Sequence, residues 1–208
     1  MGVIKMSETH IYLVRHGETD WNKNLRFQGQ TDILLNETGI QQAIKVREFL
    51  KNKKLNYIFS SDLSRAIQTA EIIADNHNLK LIKYQGLREM NFGEWEGMTY
   101  TEIKEHYLEL VNKWFEDPSS VNPPGGESLQ DFQDRVSDDF NEIINKHRDK
   151  KLLAVAHGGV IRTWLASVLK MPLAHYWKLE VDNTGISLLK YYDDSPVLNY
   201  LNYKIDSF

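Results

Sequence analysis

Two short apolar runs, Ile11 to Val14 and Leu152 to Ala156, each break off at a His-Gly pair. Runs this short, with no polar alternation, read as strands buried on both faces. Strands of that kind belong to parallel sheets and need helices on either side to cover them. The chain supplies the helices in alternation. Asn36 is placed to cap a helix running to about Leu50, with Ile40, Ala43, Ile44 and Leu50 turned inward. Tyr57 to Phe59 reads as a further strand, and Ser61 or Asp62 as the cap of a helix through Arg65 to about Asp75. Leu79 to Tyr84 alternates apolar and polar residues as a strand does. Thr99 to Phe115 is helical in pattern, with Ile103, Tyr107, Leu110 and Trp114 on one face.

The stretch from Asp117 to Gly126 holds Pro118, Pro123, Pro124, Gly125 and Gly126 and reads as a loop. Ser128 and Asp131 resemble a capping box for a long helix whose apolar residues are Leu129, Phe132, Val136, Phe140 and Ile143. A helix follows the second His-Gly pair to about Leu169, and strands near Ile186–Tyr192 and Leu198–Lys204 close the chain. The alternation predicts an α/β fold with a mostly parallel sheet covered on both faces. Ligands bind such sheets outside the carboxyl ends of the strands, so His16 and His157 are expected at one edge.

With 208 residues, no internal repeat and no linker, the chain reads as a single domain over 1–208. It has no cysteine, which excludes disulfides, thiolate metal sites and a cysteine nucleophile. Cytoplasmic location is the default expectation. Met1 to His10 is polar and lacks the apolar region of a signal peptide, and no run approaches the length of a membrane span. A net charge of -4 argues against nucleic-acid partners. Lys51, Lys53 and Lys54 read as a solvated helix end.

The chemistry concentrates at the His-Gly pairs. A histidine nucleophile needs one unprotonated ring nitrogen, and its other nitrogen must hold a proton against an acceptor. Gly17 permits close backbone approach. Arg15 offers a planar fork for phosphate oxygens, and Asn22, six residues after His16, a neutral donor. Phosphoryl transfer is mostly positioning and charge neutralisation. A site without metal must take its cations from side chains, and Arg65 is the natural second one. His157 adds a donor if phosphate keeps it protonated. Glu89 can protonate the leaving oxygen and then deprotonate the attacking water. Neither HxxH nor HExxH occurs, and two arginines would repel a divalent ion, so no metal is expected. His10, His77, His106, His147 and His175 are read as structural.

Five segments together resemble the histidine phosphatase superfamily, the phosphoglycerate mutase-like family. Leu13-Val14-Arg15-His16-Gly17-Glu18-Thr19-Asp20-Trp21-Asn22 resembles its segment with the phosphorylated histidine. Ser60-Ser61-Asp62-Leu63-Ser64-Arg65-Ala66, with Thr69-Ala70, resembles its second arginine motif. Leu87-Arg88-Glu89, with Phe92-Gly93-Glu94-Trp95-Glu96-Gly97, is similar to the proton-donor motif. Gly125-Gly126-Glu127-Ser128 and Ala156-His157-Gly158-Gly159 resemble the loop before the long helix and the second-histidine motif.

The resemblance implies a three-layer α/β/α sandwich and a pocket of Arg15, His16, Asn22, Arg65, Glu89 and His157. It also implies that Gln28 and Gly29 line the phosphate site, with Gly158 beside it. No cofactor is implied; the partner is a small phosphomonoester, no membrane is involved, and a homodimer is left open. Glu94 and Glu96 read as structural or rim residues, Glu127 as loop-fixing, and Trp21 and Trp95 as packing residues.

The glycolytic mutases that this resembles carry a basic pair before the Gly-Gly-Glu-Ser loop. Met98 to Asn122 here holds only Lys104 and Lys113, which favours hydrolysis over a phosphoglycerate mutase. An inactive scaffold is disfavoured because every catalytic residue is present. Leu87 to Gly97 looks close to the alpha-ribazole phosphatase branch, with branches of broad specificity nearly as similar. A cap-like segment, about 98–126, is expected to decide substrate fit. Its Tyr100, Tyr107, Trp114 and Phe115 suggest an apolar wall and an uncharged or hydrophobic leaving group.

Overall fold

The computed structural model describes residues 8–205. Residues 1–7 lie outside it, and with them most of the polar N-terminal stretch. A six-stranded sheet runs through the molecule in the order β3-β2-β4-β1-β5-β6. These strands are β1 (Glu8–Arg15), β2 (Tyr57–Ser61), β3 (Leu81–Tyr84), β4 (Lys151–Ala156), β5 (Ile186–Tyr192) and β6 (Ser195–Tyr203). The first four pair in parallel, and β5 and β6 add an antiparallel edge. The sheet is mostly parallel, as the alternation predicts. The β5–β6 hairpin turns on Asp193, which takes a left-handed φ of 52°.

The continuous apolar runs are explained by the two faces they serve. Ile11 and Leu13 join a core under α4 (Tyr100–Glu116), α5 (Leu129–Lys146) and α6 (Gly158–Val168). Tyr12 and Val14 point the other way, into a core under α2 (Glu37–Leu50) and α3 (Ser64–Ala74). Leu152 and Ala154 alternate with Leu153 and Val155 in the same manner. The result is three layers, α/β/α. None of the helices among the described residues is long and apolar enough to cross a membrane.

Several local expectations are corrected. Asn36 caps α2 by accepting from Gly39 N at 2.9 Å, but the buried stripe is Gly39, Ala43, Val46 and Leu50. Ile40 lies about a quarter-turn aside and is exposed. Neither Ser61 nor Asp62 caps α3. Its Ncap is Leu63, and the orphan N–H of Ser64 donates to Asp32 Oδ1 at 2.7 Å, a partner distant in sequence. Asp62 is gripped by both arms of Arg88 instead. Ser128 caps α5 through Asp131 N, but the Asp131 carboxylate accepts from the Ser128 hydroxyl and does not complete the box. In α4, Tyr107 has φ -135° and ψ 39°, which breaks the helix; the buried face is Ile103, Val111 and Trp114. A one-turn helix, α1 (Asp20–Lys23), and 3₁₀ turns at Gln85–Leu87, Gly93–Trp95 and Leu173–Lys178 complete the chain.

Candidate active site

Parallel pairing brings the two histidines together. Arg15 is in register with Ala156, and His16 N donates to Ala156 O at 2.9 Å. Each strand then releases its next residue at the same level. The rings of His16 and His157 lie 5.2 Å apart, centroid to centroid, at 61°. Both are buried. Gly17 is required because a Cβ there would collide with the backbone of Gly39 in α2.

The two rings have different surroundings. His16 Nδ1 lies 2.7 Å from Gly17 O, and a carbonyl can only accept, so Nδ1 carries the proton. Nε2 therefore keeps its lone pair. Burial, then the charges of Arg65 and Arg15, hold the ring well below the usual histidine range, so it is neutral. His157 is likewise held low by burial, Arg65, His16 and Arg15. Neither of its ring nitrogens has a protein partner.

Arg65 is fully buried and Arg15 partly so. Arg15 Nη1 donates to Val181 O at 2.9 Å, and burial followed by Arg162 brings its pKa down to about 10. Arg65 donates from Nη1 to Thr31 O at 2.9 Å and from Nη2 to Gly29 O at 2.6 Å; burial, above all, lowers it to about 10. Both stay cationic at neutral pH. Their Nε groups have no protein partner, which leaves two charged donors for an anion. The loop that holds Arg65 is itself stapled by Glu96, which accepts from Gln30 N, Thr31 N, the Thr31 hydroxyl and Phe92 N. Glu96 is thus structural. A side chain at Gly29, where φ is 53°, would strike that carboxylate.

A hollow of about 130 Å³ is lined by Arg15, His16, Asn22, Arg26, Gln28, Gly29, Arg65, Glu89 and Phe92. Asn22 Oδ1 is engaged by Thr19 and Asn183, which leaves its NH₂ as a donor. Gln28 is buried, and its Oε1 has no protein partner. His157 and Gly158 stand outside this lining. His157 backs onto His16, and Gly158 lies against Arg15: a Cβ at position 158 would sit 3.4 Å from Arg15 Nε. Glu89 enters beside α6: its Oε1 accepts from Met90 N at 2.9 Å and its Oε2 from Gly159 N at 3.0 Å. Gly159 is needed there because a Cβ would overlap Oε1 of Glu89.

Sequence reasoning missed three residues. Arg26 borders the hollow and is paired to Glu102 at 2.8 Å. Asn183 donates to His16 O at 3.0 Å, and so braces the loop that carries the histidine. Arg135 binds Glu127 and the segment carrying Glu89. No local pattern marks any of them. Glu127 does fix its loop, accepting from Asn91 N at 2.6 Å.

The expected apolar wall is not at the hollow. Trp114 is fully buried against Trp95 and Phe92, and Glu94 accepts a hydrogen bond from the Tyr107 hydroxyl. Tyr100 and Phe115 meet edge to face on the surface. Helical periodicity identified an apolar face, but the core covers most of it.

The two depressed histidines make stability pH-dependent. Below their ordinary pKa the unfolded chain binds protons that the folded chain does not, so stability is complete above about pH 6.5 and falls as pH falls. Each histidine contributes a slope of up to ~1.4 kcal/mol per pH unit. Tm should drop between about pH 7 and 5, and His157→Asn should flatten the drop. A Tm profile identical in wild type and His157→Asn would contradict this account of His157.

The comparisons with known proteins agree with the geometry. Residues 11–204 match the model of the histidine phosphatase superfamily (branch 1). Phosphoserine phosphatase 1 of Hydrogenobacter thermophilus is 34% identical over 192 residues, covering 92% of this chain and 91% of its own. The solved structure of a mycobacterial glucosyl-3-phosphoglycerate phosphatase, in complex with VO3, superposes with a TM-score of 0.87 at 32% identity, covering 94% of this chain and 99% of its own. A candidate alpha-ribazole-5'-P phosphatase of Escherichia coli K-12 gives 0.86 at 27% identity, covering 96% and 98%. The paired histidines on adjacent parallel strands, the flanking arginines and a family match over nearly the whole chain lead to one assignment: this protein belongs to the histidine phosphatase superfamily.

Proposed function

We propose that this protein hydrolyses small phosphomonoesters, without a metal, through a phosphohistidine at His16. The observation that carries the reading is the Nδ1–H···O=C contact of His16. It leaves the Nε2 lone pair bordering a hollow that Arg15 and Arg65 charge positively. In the first step Nε2 attacks phosphorus, an N–P bond forms, and the ester P–O bond breaks. The departing oxygen takes the proton of the Glu89 carboxyl. Arg15, Arg65 and the Asn22 amide neutralise charge on the equatorial oxygens. His157, its ring 5.2 Å from that of His16, stands behind the nucleophile and supports its ring. In the second step water gives a proton to Glu89 and attacks phosphorus. The N–P bond breaks, inorganic phosphate leaves, and His16 returns to its neutral form.

The substrate reading departs from the hydrophobic leaving group suggested by the cap. The hollow is bordered by polar and cationic side chains, with Phe92 as its one aromatic residue among those described. This favours a small polar alcohol, of the kind in phosphoserine, over alpha-ribazole 5'-phosphate. The name of the Hydrogenobacter relative supports the same preference. A panel containing phosphoserine, alpha-ribazole 5'-phosphate, 3-phosphoglycerate and para-nitrophenyl phosphate, run with EDTA, tests both levels. Release of inorganic phosphate is expected throughout, with phosphoserine above alpha-ribazole phosphate in kcat/KM. Absence of turnover on para-nitrophenyl phosphate would indicate a scaffold. Isomerisation of 3-phosphoglycerate outpacing hydrolysis would indicate a mutase.

A further inference from the structure

Arg135, on α5, uses all five of its N–H donors. Nε donates to Glu127 Oε2 at 3.0 Å, and Nη2 to Glu127 Oε1 at 2.7 Å. Nη1 donates to Gly86 O at 2.7 Å and to Arg88 O at 2.9 Å. The second Nη2 proton goes to Glu89 O at 2.9 Å. The guanidinium also lies over the Phe132 ring, 4.7 Å from its centroid. A planar fork with every donor engaged is about as well oriented as a side chain can be.

The choice of carbonyls is specific. Arg88 O and Glu89 O belong to the two peptide planes on either side of the Glu89 Cα. Holding both planes fixes φ and ψ of Glu89, and so the direction of its Cα–Cβ bond. The far end of the same side chain is fixed by Met90 N and Gly159 N. A pin needed only to join α5 to its neighbours would be served by Glu127 and Gly86 alone.

We propose that Arg135 is the positioning residue of the proton donor, acting through the backbone of Glu89 on the aim of its carboxyl group. The inference rests on the reading of Glu89 as that donor. Displacing a catalytic group by about 1 Å costs roughly 10²-fold in rate. Lysine at this position keeps the charge but loses the fork, so it cannot hold both peptide planes and Glu127 together.

The test is a double-mutant cycle of Glu89→Gln and Arg135→Lys, read as leaving-group release in a single turnover. Phenyl phosphate, whose leaving group needs a proton, is compared with 2,4-dinitrophenyl phosphate, whose leaving group does not. Glu89→Gln should slow phenyl phosphate by roughly 10²–10⁴-fold and dinitrophenyl phosphate far less. Arg135→Lys should slow phenyl phosphate by roughly 10–10²-fold, with little change in KM and little effect on the dinitrophenyl ester. In the Glu89→Gln background the same lysine should cost almost nothing more. Glu127→Gln, which weakens the fork from its other side, should give the same leaving-group pattern at smaller size even if Arg135→Lys folds poorly. Equal losses on both esters, or losses that add in the double variant, would overturn the role of Arg135. If Glu89→Gln itself shows no leaving-group dependence, the reading of Glu89 falls, and the inference with it.

Discussion

Replacing His16 by alanine is expected to lower kcat by on the order of 10⁴-fold or more, because the covalent route is lost outright. The neighbouring histidine does not substitute for it. His157 does not border the hollow, and no acceptor fixes its tautomer. His16 has both properties: it lines the hollow, and its Nδ1 proton is held by Gly17 O. The variant should still fold, since the loop is braced by Asn183 at the His16 carbonyl and by Thr69 at Gly17 N. It should also still bind phosphate or vanadate through Arg15 and Arg65. Steady-state kinetics with anion binding by calorimetry check both statements. Retained kcat would remove the nucleophile assignment; loss of anion binding would show that the pocket itself had collapsed.

Arg65→Met is the second large effect, with an expected fall in kcat/KM of roughly 10³–10⁵-fold, the usual worth of a cation at a transferring phosphoryl group. Its effect on stability should be much smaller. A buried guanidinium is costly to desolvate, and an apolar chain of similar length removes that cost. Against this, the carbonyls of Gly29 and Thr31 lose their donors. The two terms oppose each other, so Tm should move by only a few degrees while activity nearly vanishes. A loss of activity under about tenfold would mean that Arg15 alone neutralises the phosphoryl group.

The central strands and the shared edge of His16 and His157 were legible because both rest on local patterns plus one rule of sheet topology. A run such as Ile11 to Val14 is apolar at every position because it serves two cores at once. Asn36 was legible as a cap because its partner is Gly39, one turn away. What the sequence hid depends on contacts between distant segments. Asp32 caps α3 from 32 positions upstream of Ser64, and Asn183 reaches His16 across 167. Arg135 looks like any polar residue of an amphipathic helix until Glu127 and the Glu89 carbonyl close around it. The cap aromatics misled for a related reason. Periodicity marks Trp114 as inward but does not say whether core or substrate meets it, and Trp95 and Phe92 do.

The proposed chemistry depends on transfer of phosphorus to one nitrogen. The direct measurement is to mix enzyme with excess phosphomonoester, quench in alkali, and map the phosphorylated position by mass spectrometry and ³¹P NMR. Glu89→Gln serves in parallel to slow the attack of water. Phosphate on Nε2 of His16, absent from His16→Ala, is the predicted result. Phosphate on His157, on Nδ1 of His16, or on no histidine in either protein would contradict it.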